Sequence, residues 1–331
     1  MSENSTEQKI LKGTDPIRLN LTTALVQILV WPFIYINLFM YFTYRKKPAL
    51  WAEPRYVLFS QTLLADSALF LMTDFAVITI HVHLLLPLAF CIPFVALLHG
   101  LTFVSPTLIT VMCLERYVAI CFPLQHVNVF TPGRTVFFSV VAWFLSYMRP
   151  FVDLCIFFST VSKSYLNGLN FCYYEILLVA KWHMKMRANL FILNCLVILL
   201  ILFFCYVAIN RVARRASGED KQAASKGQRT MLLHLLQLFL CTLEVLCPYI
   251  EAQIMKIDLD MYIIVRYFNF LAFTILSRAI IPLIYGFRDE KFYVAMKSVG
   301  LRKRSIVHVG QKKMLHNVTN RVAKIEILSW K

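Results

Sequence analysis

Residues 188–209 read ANLFILNCLVILLILFFCYVAI, a run with no charged side chain, lying between Arg187 and Arg211. At a rise of 1.5 Å per residue, about 20 such residues cross the ~30 Å hydrocarbon core of a bilayer as a helix. An extended segment in lipid would leave its N–H and C=O groups unbonded, so a helix is expected and a strand is not. Similar runs recur along the chain. Seven are read, at Thr22–Tyr44, Tyr56–Ile80, Pro87–Leu114, Thr135–Thr160, Ala188–Ile209, Met231–Met255 and Met261–Phe287. Composition agrees, with 59% hydrophobic and 16% charged residues and a mean hydropathy of +0.64, far from the balance of a soluble domain. The fold class expected is an all-α membrane protein, a seven-transmembrane helix bundle.

Lysine and arginine set the orientation, because they collect in cytoplasmic loops. Arg45, Lys46, Lys47 and Arg55 flank one loop, Arg134 lies at another, and Arg211, Arg214, Arg215, Lys221, Lys226 and Arg229 fill a third. The tail adds Lys291, Lys297, Arg302, Lys303, Arg304, Lys312 and Lys313. These segments are expected in the cytoplasm and the N-terminus outside. Met1 to Leu11 is polar and lacks the apolar core of a secretory signal, so the first span is expected to direct insertion. The net charge of +16 then faces anionic lipid and an acidic partner surface, and no nucleic-acid partner is expected.

With this topology, Asn4-Ser5-Thr6 and Asn20-Leu21-Thr22 are outer glycosylation acceptors, Asn20 close to the membrane, while Asn317-Val318-Thr319 is cytoplasmic and silent. Most of the nine cysteines fall within spans, as small buried hydrophobes. Cys91, however, sits at the outer end of the third span, and Cys172 in the long outer loop Val161–Arg187, where oxidation is permitted. A disulfide between them is expected, stapling the loop over the bundle mouth. His81 and His83 are too close together and too lacking in partners for a metal site. No Gly-rich phosphate loop occurs, so neither a cofactor nor an enzyme is expected.

The most specific string is Met112-Cys113-Leu114-Glu115-Arg116-Tyr117-Val118-Ala119-Ile120-Cys121-Phe122-Pro123-Leu124-Gln125-His126. An acid-Arg-Tyr at the inner end of the third helix resembles the signature of rhodopsin-like (class A) G-protein-coupled receptors. The extended form Arg-Tyr-Val-Ala-Ile-Cys-x-Pro-Leu is similar to that of odorant receptors. Cys91 and Arg116 are 25 residues apart, ~37 Å of helix, which puts one at each membrane face. Further marks agree in order and side. Leu63-Leu64-Ala65-Asp66 resembles the second-helix motif whose aspartate binds sodium in many relatives, Trp143 suits the fourth-helix tryptophan, and Pro248 the sixth-helix kink. Ile281-Pro282-Leu283-Ile284-Tyr285 resembles the seventh-helix Asn-Pro-x-x-Tyr. Phe287 to Val299 resembles the amphipathic eighth helix, with Phe292, Ala295, Met296 and Val299 on one face and Arg288, Lys291 and Lys297 toward headgroups. No cysteine follows Cys247, so the usual palmitoyl anchor there is absent.

Departures narrow the resemblance. Ile281 replaces the usual Asn, and Val245-Leu246-Cys247-Pro248 replaces Cys-Trp-x-Pro, so the standard activation switch is in doubt. Leu98 stands where amine receptors place an aspartate. Pro54-Arg55-Tyr56-Val57-Leu58-Phe59, Glu115 through Leu124 and Leu283-Ile284-Tyr285-Gly286-Phe287-Arg288-Asp289 look most like teleost-type odorant receptors. The resemblance implies an extracellular segment 1–21, a bundle 22–287, an amphipathic helix 288–300 and a basic cytoplasmic tail 301–331.

What the resemblance implies is a two-state bundle in which a small odorant-like molecule, held in the outer half, favours the state that admits a heterotrimeric G protein. Its other contacts are membrane lipids. Glu115, Arg116, Tyr117, Pro282 and Tyr285 would carry coupling, with Arg116 held by Glu115 at rest. Helical position suggests Leu98, His99, Thr102, Tyr249 and Glu251 as ligand contacts, with Arg149 neutralising Asp153 four residues on. Two other readings stand beside this one: a non-olfactory receptor for a peptide or lipid, and a transporter or channel using Asp66, Glu244 and Arg278.

Asp66 is ten residues into its span and Arg278 nine before the end of its own, so both lie ~14–15 Å deep. An unpaired charge at that depth costs a few kcal/mol on insertion scales, so an intramembrane ion pair of Asp66 with Arg278 is expected. Arg278 facing the vestibule and pairing with Glu244 is the alternative.

Overall fold

The computed structural model describes residues 16–300, apart from 173, 178–180, 216, 217, 255, 256, 258, 284, 285, 287 and 288. Six long helices come first: α1 Pro16–Lys46, α2 Pro54–His81, α3 Leu88–Cys121, α4 Pro132–Thr160, α5 Lys181–Arg215 and α6 Gly218–Ile254. The next, α7, combines Leu259–Asn269, a π-helical turn Phe270–Ile275 and Leu276–Leu283. Residues 290–300 form α8. Asn4, Tyr285 and the tail 301–331 lie outside the described residues, and Asn20 is exposed on α1.

Local chemistry sets several boundaries. Pro54 and Pro132 open α2 and α4, where a missing N–H costs nothing and the fixed φ suits a first turn. Thr131 caps α4 by accepting from the Arg134 N–H at 3.3 Å. Prolines also lie inside helices, at Pro32, Pro93, Pro106, Pro150 and Pro282. Spanning helices tolerate them where neighbouring groups satisfy the carbonyl four residues earlier, which loses its N–H partner.

Among the described residues, six helices are long and apolar enough to cross a membrane: those that include Asn20–Lys46, Pro54–His81, Leu88–Cys121, Pro132–Thr160, Lys185–Val212 and Ile264–Leu283. In α6 the apolar run is shorter, Leu232–Glu244. The helix starts at Gly218, well before the Met231 read from hydropathy, because the polar segment from Glu219 to Arg229 stays helical beyond the apolar stretch.

Helix α3 is the axis of the bundle and packs against α2, α4, α5 and α6. Its Leu108, Ile109 and Met112 join Leu63 of α2, Leu202 of α5 and Ile281 of α7 in one core. The outward faces are apolar too: Phe203 in mid-α5 is 65% exposed. Such a surface is stable only in an apolar solvent, which is the bilayer.

Two staples close the ends. At one, Cys91 and Cys172 are joined by a disulfide with Cα atoms 4.8 Å apart, and Leu86–Pro87 pairs antiparallel with Leu169–Asn170. This is the disulfide end of the bundle. At the other, Asp289 caps α8 by accepting from the Phe292 N–H at 3.0 Å, and it accepts from the Tyr56 hydroxyl at 2.7 Å. Arg55 adds an ion pair to Asp289 at 3.0 Å. Phe292 and Ala295 are buried, Phe292 edge-on to Phe59 at 5.2 Å. Two of the segments that carried the resemblance, 233 residues apart, therefore meet in space.

Candidate ligand cavity and signalling end

A cavity of about 280 Å³ opens within the bundle toward the disulfide end. Leu98, His99 and Thr102 of α3 and Glu251 of α6 line it. Tyr249 belongs to α6, and its side chain lies outside what is described. Sequence reasoning missed Arg149 of α4, Arg187 of α5, and Arg266 and Asn269 of α7, which also line the cavity. Depth along a helix was readable from the 1.5 Å rise, whereas the direction each side chain faces depends on how the helices rotate against one another.

Buried charges organise the cavity walls. Asp153 of α4, 2% exposed, accepts from His183 Nε2 at 3.0 Å and lies 3.4 Å from Arg187 Nε and 3.6 Å from His99 Nδ1. Arg187 donates to His99 Nε2 at 2.8 Å. The partners of Asp153 are thus on α5 and α3, and the expected neutralisation by Arg149 is corrected. Arg149 instead stacks over Phe103 and Phe191, at 5.0 and 5.5 Å, and donates to the Arg187 carbonyl. The four-residue spacing brings Arg149 near Asp153 in sequence, but the aromatic faces of α3 and α5 hold its guanidinium.

Below the cavity, Arg278 of α7 is 1% exposed. It donates to Glu244 Oε2 at 2.6 Å, and its Nε lies 3.6 Å from Asp66 Oδ1. Arg278 therefore lies within ion-pair distance of both carboxylates. The Glu244 contact is the shorter, while Asp66 accepts its closest hydrogen bond from Ser105 at 2.6 Å. Arg278 also donates to the Thr274 carbonyl at 3.1 Å, within the π-helical turn. Glu244 faces both ways, gripping Arg278 and lining the cavity.

At the end opposite the disulfide, Glu115 is 3% exposed and has two partners. Its Oε2 lies 3.4 Å from Arg116 Nε, and its Oε1 accepts from His126 Nε2 at 2.9 Å. His126 comes from the short helix Pro123–Val129, which turns back beneath α3. Tyr117 packs edge-on against Phe122 and Phe204, at 5.7 and 5.4 Å. Pro282 is buried in α7.

An acid-Arg pair with a buried glutamate at one end of a long central helix, a disulfide at its other end and a cavity between define a receptor architecture. The family described as 7 transmembrane receptor (rhodopsin family) matches residues 36–285, and the chain belongs to it. It is similar to Odorant receptor 131-2 of Danio rerio, 36% identical over 272 residues, covering 82% of this chain and 83% of that protein. Olfactory receptor 2M4 of Homo sapiens is 29% identical over 212 residues, covering 60% and 64%. G-protein coupled receptor homolog Q2/3L of sheeppox virus (strain KS-1) is 27% identical over 120 residues, covering 36% and 30%. The chain is a multi-pass plasma-membrane receptor that has a ligand and a G protein as partners, and is not an enzyme.

Proposed function

We propose that this chain is an odorant receptor, which holds a small molecule in the cavity at the disulfide end and activates a heterotrimeric G protein from the opposite end. The observation that carries the reading is that Leu98, His99, Thr102 and Glu251 line one cavity in a chain 36% identical to a zebrafish odorant receptor. The N-terminus and disulfide end are extracellular, with Asn4 and Asn20 as glycosylation acceptors, and the basic loops and tail face the cytoplasm and its anionic lipids. In a sensory neuron the site of action is the ciliary membrane.

The mechanism is a population shift. A ligand acts only through its differential affinity for the two states of the bundle. Glu115, shared between Arg116 and His126, holds the resting end closed. In the active state Arg116 is released to line the crevice that receives the G-protein helix, with Tyr117, Pro282 and Tyr285 on the same pathway. Asp66 and Arg278 tie α2 to α7 at the depth where sodium binds in resembled receptors, so the guanidinium replaces the ion.

The test is expression with a promiscuous G protein and a panel of volatile and water-soluble odorants. Responses that disappear when the G protein is omitted support the reading. Currents that persist without it point to the channel alternative.

A further inference from the structure

We infer that two copies of this chain associate side by side through α5, with Asn194 of one hydrogen-bonded to Asn194 of the other. Asn194 is exposed on α5, about 10 Å along the helix from Arg187 and about 25 Å from Arg211. That depth is inside the hydrocarbon core, and the short side chain of an asparagine does not reach the headgroups as a lysine or arginine stem does. Among the described residues its amide forms no hydrogen bond. It borders a small cavity of about 30 Å³ beside Thr102 and Thr242, but those hydroxyls donate elsewhere, to the Leu98 carbonyl at 3.1 Å and to the Cys195 sulfur at 4.0 Å. An amide left in hydrocarbon without a partner carries a large desolvation penalty, so a partner from outside the chain is favoured.

The residues around it form a seam. Leu190, Asn194, Val197, Ile201 and Phe204 recur at spacings of four, three, four and three, the heptad rhythm that keeps one stripe of a helix against a partner helix. Leu190, Val197 and Phe204 are 45%, 47% and 57% exposed, and Ile201 is half-buried. Helix α5 packs mainly against α3 and α6, which leaves much of this stripe to the bilayer. Lipid tails offer an amide neither donor nor acceptor. A second copy offers both. Two copies in one membrane share their orientation, so a two-fold axis along the membrane normal sets α5 parallel to its mate and brings each seam residue opposite itself. An amide suits that arrangement because it is self-complementary: the N–H of each donates to the C=O of the other, and no charge is buried. A single asparagine in such a seam fixes register and oligomeric state in coiled coils, and interhelical hydrogen bonds of this kind support helix association in membranes.

The test is energy transfer between donor- and acceptor-tagged copies of the full chain in the plasma membrane, titrated by surface density. The native chain should show saturable transfer. Asn194→Leu, which keeps the apolar seam and removes the amide, should need about tenfold higher density to reach the same transfer, while Asn194→Gln should stay close to native. Thermal melting of the purified Asn194→Leu protein should be unchanged or raised, since the amide has no bond within the chain to lose. Mild oxidation gives a second measurement on chains that retain Asn194: Val197→Cys, on the seam, should cross-link two copies above the background of the native chain, and Leu200→Cys, 66% exposed but off the seam, should not. Transfer that never saturates in the native chain, or an Asn194→Leu curve that overlays the native one, would overturn the proposal. So would cross-linking of Leu200→Cys in preference to Val197→Cys, which would place the contact on another face of α5. Lower melting of Asn194→Leu with transfer unchanged would show that the amide serves the interior of the bundle, and would also overturn it.

Discussion

Arg278 of α7 donates to Glu244 of α6 at 2.6 Å while its Nε stands 3.6 Å from Asp66 of α2, so one buried guanidinium is shared by two carboxylates. Removing one member of a buried pair leaves an uncompensated charge and costs about 3–5 kcal/mol. Arg278→Gln strands two carboxylates and should abolish surface expression, whereas Glu244→Gln leaves the Asp66 pairing and should be the milder change. Asp66→Arg and Arg278→Asp should each abolish expression, and the double swap should restore part of it, since it keeps one cation among the same carboxylates. Flow cytometry of surface-labelled receptor reads all four. No recovery in the double variant would leave the Asp66 pairing without support.

Sodium independence follows from the same contact. With a guanidinium at the aspartate that binds sodium in resembled receptors, replacing sodium by N-methyl-D-glucamine should leave ligand potency unchanged. A clear sodium-dependent shift would contradict the arrangement.

The Cys91–Cys172 bridge holds the loop that contains Leu169–Asn170 against the start of α3. Its removal should cost about 2–5 kcal/mol, and Cys91→Ser, Cys172→Ser and the double variant should lose surface expression to a similar extent. Normal trafficking and response in both single variants would show that the bridge is dispensable.

Asp289 both caps α8 and binds Tyr56 and Arg55. Asp289→Ala should lower stability by more than the ~0.5–2 kcal/mol of a cap alone. Asp289→Asn keeps the cap and the tyrosine bond but not the ion pair, and should recover most of the loss. Thermal melting in detergent measures both.

Much of this architecture was legible in the sequence because lipid imposes a simple rule: apolar runs of the right length become helices. The limits have physical causes. Hydropathy placed the start of the sixth helix at Met231, but the helix begins at Gly218, because the solvent argument does not reach polar helix outside the bilayer. Depth arithmetic brought Asp66 and Arg278 to one level but could not choose between Asp66 and Glu244, since rise fixes height and leaves rotation open. The resemblance supplied Glu115 with Arg116, and said nothing of His126, whose approach depends on the turn made by Pro123–Val129. The Asp153 cluster was hidden for the same reason: its partners come from α3 and α5, 30 or more residues away.

In the proposed mechanism Arg116 links an occupied cavity to the G protein. Odorant-driven nucleotide exchange on a reconstituted heterotrimer, with native receptor and Arg116→Ala compared at equal surface density and equal ligand occupancy, tests it most directly. Native receptor should accelerate exchange when odorant binds, and Arg116→Ala should bind the odorant with unchanged affinity yet accelerate exchange little or not at all. Exchange at the native rate in the alanine variant would contradict the account.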